Sequence, residues 1–426
     1  MAEFTGWLLD VYEDAADGLA LWALAEDGRR VRLRQPFAVR FYAAGPDSEL
    51  RRLWQRLRAQ PIPVRLSRTE RQDLFHPGLL PVLAVEVPHA PDQPRLFQSL
   101  QDEFPRLNFY DADLNIWLRF AAETGAFPLA RCRFTCGPGG RLLTLETLDS
   151  PWDLDPAPAP LRTLALAPDC DPAHAEPRFL EVAVGGCQYR LALEPLRPLL
   201  VNLSALIQRH DPDILLTSFG DTWLLPRLLE ASSACGLALP LNREFGRGTA
   251  HRKARSYFSY GQVVYRGPQV LLFGRWHIDR RNAMLWDDYD LEGVLEAARV
   301  TAQPVQAAAR TSPGSGISSM QMLTALRGGV LVPWHKQEAE RPKSALDLLR
   351  YDQGGLVYQP TTGLHSNVGE VDFISMYPSI MVHANISPET TRSESEPSTD
   401  QPPGLIPRTL EPLLNKRIAL KQRLAE

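Results

Sequence analysis

The sequence predicts a multidomain protein that combines an α+β part with an α/β part. The chain has 426 residues, too many for one ordinary hydrophobic core, so two to three domains are expected. Short runs of alternating apolar and polar residues fill 4–43, a pattern typical of antiparallel strands. Beyond a proline-rich linker at 150–160, strand patterns alternate with helix patterns, which indicates an α/β domain.

The first part, residues 1–150, is predicted to be an α+β domain. Its opening strands are expected to form an antiparallel meander that includes 38–42. Trp22, Phe41 and Tyr42 are expected in its core. The later elements predicted here are a helix at 50–57, a strand at 82–87, and helices at 94–104 and 113–124.

The second part, residues 151–310, is predicted to be α/β, and the third part is 311–426. Predicted elements of the second part are strands at 161–167, 179–184, 188–193 and 214–217, and helices at 200–209 and 222–231. Predicted elements of the third part are a loop at 311–316, a helix at 318–327, an exposed loop at 392–403 and an amphipathic basic helix at 410–424.

The composition describes a globular protein with no sign of a membrane segment. Hydrophobic residues make up 44% and charged residues 23% of the chain, and the net charge is 46 − 50 = −4. This charge neither favours nor excludes nucleic acid, because binding needs only a local basic surface. No apolar run of about 18 residues and no secretory signal occurs, so a cytoplasmic protein is expected. The five scattered cysteines are expected to be reduced, buried and structural, without zinc.

One carboxylate and one aromatic ring stand five residues apart in the third part. Residues 368–371 read as a buried strand that delivers Asp372 to a turn, and Tyr377 follows directly before a proline. Such a carboxylate suits metal-ion catalysis on phosphates, since the turn's amides can face a triphosphate and the ring can contact the sugar. The alternative is an ordinary strand-turn-helix with a chance aspartate and a core tyrosine.

The full run resembles the first palm motif of family B DNA polymerases. The resemblance lies in Asp-Phe-Ile-Ser-Met-Tyr-Pro-Ser-Ile at 372–380 followed by Asn-Ile-Ser-Pro-Glu-Thr at 385–390. It implies that Asp372 is a catalytic ligand of Mg²⁺ and that the carbonyl of Phe373 completes this part of the metal site. It also implies that Tyr377 excludes a 2′-hydroxyl. The backbone at Ser375 and Met376 would then face the incoming dNTP.

Arg417 and Lys421 form a second candidate site. They are four residues apart on a predicted helix and share one face, which suits a triphosphate. The alternative is a solvated helix face. The segment 404–421 resembles the start of the fingers helix of the same family, in which the matching arginine and lysine contact the incoming nucleotide or lie near it.

The resemblance extends upstream. Gly-Arg-Trp-His-Ile-Asp at 274–279 resembles a strand of the family's exonuclease domain, and 210–216 resembles the lead-in to its second motif. Residues 354–357 and 363–364 resemble the approach to the palm. The resemblance therefore implies a ribonuclease H-like 3′–5′ exonuclease domain, flanked by the N-terminal α+β domain and a partial polymerase palm.

The acidic residues of that exonuclease are missing. Residues 164–167 carry no carboxylate, and Leu224 and Gly293 stand where the second and third motifs have aspartates. Asp169 and Asp171 fall in a predicted loop, and Asp221 lies three residues from the expected place. Since two metal ions need clustered carboxylates, a degenerate domain without 3′–5′ exonuclease activity is expected.

The densest basic run lies at 243–255 and is followed by aromatic residues at 257, 258 and 260. Cations beside aromatic rings can track a phosphate backbone and stack on unpaired bases. Arg252, Lys253, Arg255 and Tyr257 are therefore candidate DNA-binding residues. The alternative is an exposed hairpin with solvated charges.

Two hypotheses about function follow. The family's Lys-x-x-x-Asn-Ser-x-Tyr-Gly helix and its Asp-Thr-Asp turn do not occur in this sequence. The first hypothesis is a DNA polymerase segment, inactive as an isolated chain, that acts on primer-template DNA and dNTPs with a C-terminal polymerase chain. It would serve DNA replication or repair at the nucleoid. The alternative is a non-catalytic DNA-binding or scaffold remnant of such a polymerase.

Overall fold

The structure is a computed structural model that describes residues 2–76, 78–244, 246–259, 262–284, 286–334, 343–351, 359–370, 372–391 and 402–425. Outside the described residues lie residues 392–401 of the loop predicted at 392–403, the segment 354–357, Val371 and Tyr260. The division into 1–150, 151–310 and 311–426 stays a prediction.

The strands are, in chain order, β1 (Ala2–Asp14), β2 (Gly18–Ala25), β3 (Arg30–Gln35), β4 (Val39–Ala44), β5 (Arg65–Asp73), β6 (Leu79–Val87), β7 (Asn108–Tyr110), β8 (Arg131–Cys136), β9 (Leu142–Thr147), β10 (Thr163–Pro168), β11 (Phe179–Val184), β12 (Cys187–Ala192), β13 (Ile214–Thr217), β14 (Ala250–Arg252), β15 (Arg255–Ser259), β16 (Gln262–Arg266), β17 (Gln269–Leu271), β18 (Trp276–Asp279) and β19 (Val330–Leu331).

The α-helices are α1 (Asp47–Ala59), α2 (Gln93–Gln101), α3 (Ile116–Thr124), α4 (Leu196–His210), α5 (Leu225–Cys235), α6 (Trp286–Thr301), α7 (Val305–Ala308), α8 (Pro313–Arg327), α9 (Ala345–Tyr351), α10 (Met376–His383) and α11 (Leu405–Ala425). A short π-helical turn, Gly220–Leu224, precedes α5.

The first sheet has the order β3-β2-β1-β8-β9 and is antiparallel throughout its named pairs. Strand β2 is buried along its whole length because both of its faces are covered. Leu19 and Leu21 point into one core, whereas Trp22 and Leu24 point into a second core. That second core also contains Trp276, so the first sheet packs directly against the sheet that holds β18.

The second sheet corrects one sequence-based expectation. Its order is β19-β5-β6-β4-β7, so residues 38–42 do not extend the meander of the first sheet. Strand β3 ends at Gln35, and Pro36, which has no backbone N–H to donate, follows it. Strand β4 then pairs with β6 and β7, and α1 and α2 cover one face of this sheet. Phe41 lies in that core, and Tyr42 is buried on the opposite face.

The third sheet has the order β12-β11-β10-β13-β18. Strands β10, β11 and β12 are antiparallel neighbours, whereas β13 and β18 run parallel to β10 and to each other. Helices α4 and α5 cover one face, and the opposite face meets the first sheet and α6. The strands predicted at 161–167, 179–184, 188–193 and 214–217 are therefore present, within two residues of the expected bounds at each end.

Two expectations in the third part were wrong. The loop predicted at 311–316 is largely helix, since α8 begins at Pro313 with Ser312 as its N-cap. Residues 359–370 contain no strand and are exposed, so the described part of 368–371 is not a buried strand. A strand needs a pairing partner, and the described residues supply none for this segment.

The expectation for cysteines holds in part. Cys132 and Cys136 are buried in the first sheet, but Cys187 is exposed. Among the described residues, no helix combines the length and the apolar character needed to cross a lipid bilayer.

Candidate functional site

The turn that carries Asp372 lies on the protein surface. Asp372 is exposed, as are the side chains of Phe373 and Tyr377, at 73% and 65%. Ser375 adopts a left-handed conformation (φ 51°, ψ 52°) and is the N-cap of α10. The first amides of α10, which include those of Met376 and Tyr377, therefore stand at a helix start and have no carbonyl of their own helix to bind.

Helix α11 meets this turn through Arg417. Its Nη1 donates a hydrogen bond to Oγ of Ser375, which is 42 residues away in sequence. Lys421 lies one helical turn further along α11 and is also exposed. The structure thus brings one of the two predicted cations into contact with the Asp372 turn, and the second follows on the same helix.

Both cations also line an apolar groove of about 680 Å³ between α6, α8 and α11. Its apolar lining includes Met284, Val300, Ile317, Met320, Leu413 and Leu420. Lys416 is buried beside it, donating to the carbonyl of Pro151 at 2.9 Å and forming an ion pair with Glu296. Helix α11 is therefore anchored by contacts to the linker and to α6.

Asp372 alone does not make a metal site. Over the ranges that the structure describes, no three His, Cys, Asp or Glu residues are grouped closely enough to hold a metal ion. A pair of divalent cations at Asp372 would therefore need carboxylates beyond those that the described residues group together there.

Asp221, the residue nearest to the expected second exonuclease aspartate, is buried in a network of hydrogen bonds. Its Oδ2 accepts from Nε of Arg310 at 2.8 Å and from Nδ2 of Asn282 at 2.7 Å. Its Oδ1 accepts from the backbone of Val270 at 2.7 Å. Burial raises the pKa of Asp221, but the charge of Arg310 and the hydrogen bonds from Arg310 and Val270 together outweigh burial, so the pKa lies below its ordinary value. The carboxylate is therefore ionised and already neutralised by a protein cation.

His277 completes this buried network as a neutral imidazole. Burial, reinforced by the charge of Arg310, lowers the pKa of His277 to about 4. Its Nδ1 lies 2.7 Å from the carbonyl of Val270, and its Nε2 lies 2.8 Å from Oγ1 of Thr217. A proton on Nδ1 satisfies both contacts, because Nδ1 then donates and Nε2 accepts from the hydroxyl.

The other positions at which the exonuclease aspartates are expected are an apolar core residue and a glycine without room for a side chain. Leu224 is fully buried in the core under α4 and α5. Gly293 lies under Tyr289, and a Cβ at position 293 would come within 2.2 Å of Cβ of Tyr289. Asp169 accepts from the backbone N–H of Arg178, and Asp171 pairs with His174, both in the loop after β10.

The basic run falls on two short antiparallel pairs, β14 with β17 and β15 with β16. Arg252, Lys253 and Arg255 are exposed, and Tyr257 is half-buried beneath the guanidinium of Arg266, 5.2 Å from the ring centroid. The partner strand adds exposed Tyr265, which the sequence pattern missed.

Sequence reasoning also missed Arg310, Asn282 and the residues that hold the start of α11. Arg310 lies at the predicted boundary between the second and third parts, where a lone arginine gives no signal. The burial of a charged residue is the feature that marks it, and burial emerges only from the tertiary structure.

Comparison with known proteins agrees with the polymerase resemblance. The family model described as DNA polymerase family B matches residues 314–403. DNA polymerase 1 of Pyrococcus abyssi is 26% identical over 286 residues, a match that covers 54% of this chain and 37% of the relative. The DNA polymerase of Archaeoglobus fulgidus is 31% identical over 138 residues, covering 30% of this chain and 16% of that protein. The chain thus matches well under half the length of these curated relatives.

A solved structure shares the fold. The family B DNA polymerase from the hyperthermophilic archaeon Pyrobaculum calidifontis superposes with a TM-score of 0.70 at 21% identity. The match covers 98% of this chain and 64% of that one. The chain is thus similar to family B DNA polymerases over residues 314–403 and to their archaeal members, and it shares the mixed α/β fold of the solved structure.

Proposed function

We propose that this chain supplies one side of the nucleotidyl-transfer site of a family B DNA polymerase. Asp372 binds one Mg²⁺ together with the carbonyl of Phe373, and Tyr377 packs against the sugar of the incoming dNTP. Arg417 and Lys421 bind its triphosphate, facing the backbone at Ser375 and Met376. DNA primer-template is the second substrate, and the protein acts at the nucleoid in the cytoplasm.

The contact between Arg417 and Ser375 is the observation that carries this proposal. It joins two segments whose proposed partners are the same nucleotide, and it places a guanidinium beside the start of α10. A helix N-terminus and a planar cation both favour phosphate oxygens. The exposure of Asp372 and Tyr377 leaves both side chains accessible to a ligand.

Two metal ions need further carboxylates beside Asp372. We propose that they come from the Asp-Thr-Asp turn of a C-terminal polymerase region or partner chain. On this proposal, residues 311–426 are the start of the palm and fingers.

We also propose that residues 151–310 form a ribonuclease H-like domain without proofreading activity. The order of the third sheet, with three antiparallel strands followed by two parallel ones, supports the fold. The pairing of Asp221 with Arg310 supports the loss of activity, since a metal ion would have to displace a buried guanidinium. Arg252, Lys253, Arg255 and Tyr257 are proposed to contact the DNA backbone and an unpaired base.

Primer extension tests the proposal. The chain is purified with a polypeptide that carries the Asp-Thr-Asp turn, and extension of a labelled primer by dNTPs is followed with Mg²⁺ present. Asp372→Ala is expected to lower the rate at least about a hundredfold, because it removes a ligand of the catalytic metal. Tyr377→Ala is expected to increase ribonucleotide incorporation, whereas Tyr377→Phe keeps the ring and the discrimination.

Glu370→Ala is the matched control, since Glu370 is an exposed carboxylate two residues upstream. Equal extension by Asp372→Ala and wild type would contradict the assignment. The same 3′-labelled primer without dNTPs reports proofreading. Metal-dependent trimming that Asp169→Ala abolishes would contradict the loss of exonuclease activity.

A second candidate is a non-catalytic DNA-binding or scaffold protein. The incomplete metal site within the described residues favours it. Salt-dependent DNA binding without extension, whatever partner is supplied, would support this candidate instead.

A further inference from the structure

The start of α11 is tied to the segment that follows α10. The backbone N–H of Gly404 donates to Oδ1 of Asn385 at 2.8 Å. The N–H groups of the first two residues of α11 donate to Oε1 of Glu389 at 2.5 Å and to Oγ of Ser387 at 3.2 Å. We call the three side chains of Asn385, Ser387 and Glu389, together with these three amides, the α11 clamp.

Two side chains of the clamp are buried, Glu389 is half-buried, and the clamp residues bond to one another. Asn385 and Ser387 are 6% and 2% exposed. Oγ of Ser387 donates to Oε2 of Glu389 at 2.6 Å, and Nδ2 of Asn385 donates to the carbonyl of Pro402 at 3.2 Å. A Cβ added at Gly404 would come within 2.5 Å of Cβ of Ser387. The two backbone segments therefore approach too closely for any residue larger than glycine.

The carboxylate of Glu389 suits this place for an electrostatic reason. The first amides of a helix have no partner within the helix, and the helix dipole puts partial positive charge there. A carboxylate that accepts from the first amide gives that amide a hydrogen-bond partner and places negative charge beside the positive end of the dipole. The clamp thus holds α11 by hydrogen bonds and by charge. Its side chains precede residues 392–401 in the sequence, and its amides follow them.

The clamp also sets where Arg417 lies. Arg417 is 417 − 405 = 12 residues into α11, about 18 Å along the axis at about 1.5 Å per residue. A tilt of about 5° at the start would move it by roughly 1.5 Å, enough to lose an oriented contact. Lys416 and Arg423 anchor α11 to the 151–155 linker and to α6, whereas the clamp anchors it to the segment after α10.

We infer that Glu389 is a positioning residue for the nucleotide site, which acts by holding α11 so that Arg417 and Lys421 face the Asp372 turn. This inference rests on the proposed function, because it assumes that these two cations bind the triphosphate. It assigns a role in nucleotide affinity to a side chain that contacts no nucleotide itself.

Binding of dATP with Mg²⁺ to the full chain, measured by titration calorimetry, tests the inference. Glu389→Ala is expected to weaken binding about five- to tenfold, because it removes the cap of α11. Glu389→Gln keeps an acceptor for the first amide and is expected to recover most of the affinity. Glu411→Ala is the matched control, since Glu411 is an exposed carboxylate on the same helix, and it is expected to bind dATP as the wild type does.

A double variant separates positioning from a general loss of stability. In an Arg417→Ala background, Glu389→Ala should lower affinity much less than in the wild type, since the side chain that it positions is gone. An equal further loss there would overturn the inference, as would unchanged dATP binding by Glu389→Ala alone.

Amide hydrogen exchange reports the clamp without nucleotide. Glu389→Ala should speed exchange of the Leu405 and Ile406 amides and of later amides of α11. Unchanged exchange would show that Glu389 does not hold the start of α11, and it would leave the proposed nucleotide site untouched. If Arg417→Ala and Lys421→Ala leave dATP binding intact, or the wild type does not bind dATP, the proposed nucleotide site fails whatever the exchange shows.

Discussion

At the scale of single residues, the buried ion pair of Asp221 and Arg310 is an important contribution to the stability of the region around the third sheet. Both side chains are almost fully buried, at 0% and 2% exposed, and Arg310 also donates to the carbonyl of His277 at 3.0 Å. Removing one member of such a pair leaves an uncompensated buried charge, which costs about 3–5 kcal/mol. The carboxylate of Asp221 thus contributes to the stability of the fold, with Arg310 as its counterion.

Asp10 gives a prediction about pH. It is buried in β1 where the register against β2 shifts, and burial raises the pKa of its carboxyl to about 7. A raised carboxyl pKa means that the folded state binds the proton more tightly than the unfolded state. The contribution to stability is therefore full below about pH 4 and is lost as the pH rises through 7. Asp10→Asn should leave stability unchanged at pH 4 and increase it at pH 8, by up to about 4 kcal/mol.

Urea unfolding of both proteins at pH 4, 6 and 8 measures this difference. Asp102→Asn removes an exposed carboxylate at the end of α2 and should show no such trend with pH. A destabilised Asp10→Asn at pH 8, or a shift that does not vary with pH, would contradict the assignment of the raised pKa to Asp10.

At the scale of elements, the sequence pattern predicts those whose partners are near in sequence or whose burial is uniform. Strand β11 alternates buried and exposed residues, and β13 is buried at all four positions, so both were recognised with their exact bounds. Strand β4 was recognised as a strand but placed in the wrong sheet. Its partner β6 follows α1 and its partner β7 follows α2, and a period of two carries no information about which strands pair.

The candidate site divides in the same way. The spacing of Asp372 and Tyr377, and of Arg417 and Lys421, can be read along the chain. The contact of Arg417 with Ser375 and the α11 clamp cannot, because they join segments separated by other elements. The strand expected before Asp372 shows the opposite failure of the sequence pattern. Apolar residues there predict a strand, but this segment has no pairing partner among the described residues.

The start of α6 gives a prediction for an element. Its first turn is kinked at Asp290 (φ 54°, ψ −161°), and Tyr289 lies over Gly293. Gly293→Ala should lower the free energy of unfolding by about 1–3 kcal/mol, because the added methyl overlaps Tyr289 and the turn must move. Gly314→Ala, in the first turn of α8, is the control, since its nearest neighbour would be 3.9 Å away. Urea unfolding decides; a more stable Gly293→Ala would mean that the kink is not maintained.

At the scale of the whole molecule, the first and third sheets behave as one packed body. They share a core that contains Trp22, Ile214 and Trp276. Charged contacts flank this core: Oη of Tyr12 and Nε of Arg32 both donate to the carboxylate of Glu244, at 2.7 Å each. The third sheet is therefore fixed to the first sheet by apolar and ionic contacts together.

The ion pair of Arg30 with Asp213 tests this coupling, because it joins the two sheets directly. The guanidinium donates from Nε at 3.0 Å and from Nη2 at 2.6 Å, and the two side chains are 5% and 1% exposed. Arg30→Met should lower the free energy of unfolding by about 2–4 kcal/mol, because Asp213 stays buried and keeps only its other donors, among them Arg243. Arg29→Met, which breaks the exposed pair with Asp27, should change it by less than about 0.5 kcal/mol. Guanidinium unfolding followed by tryptophan fluorescence measures both, and equal effects of the two substitutions would show that the sheets are held together by their shared core alone.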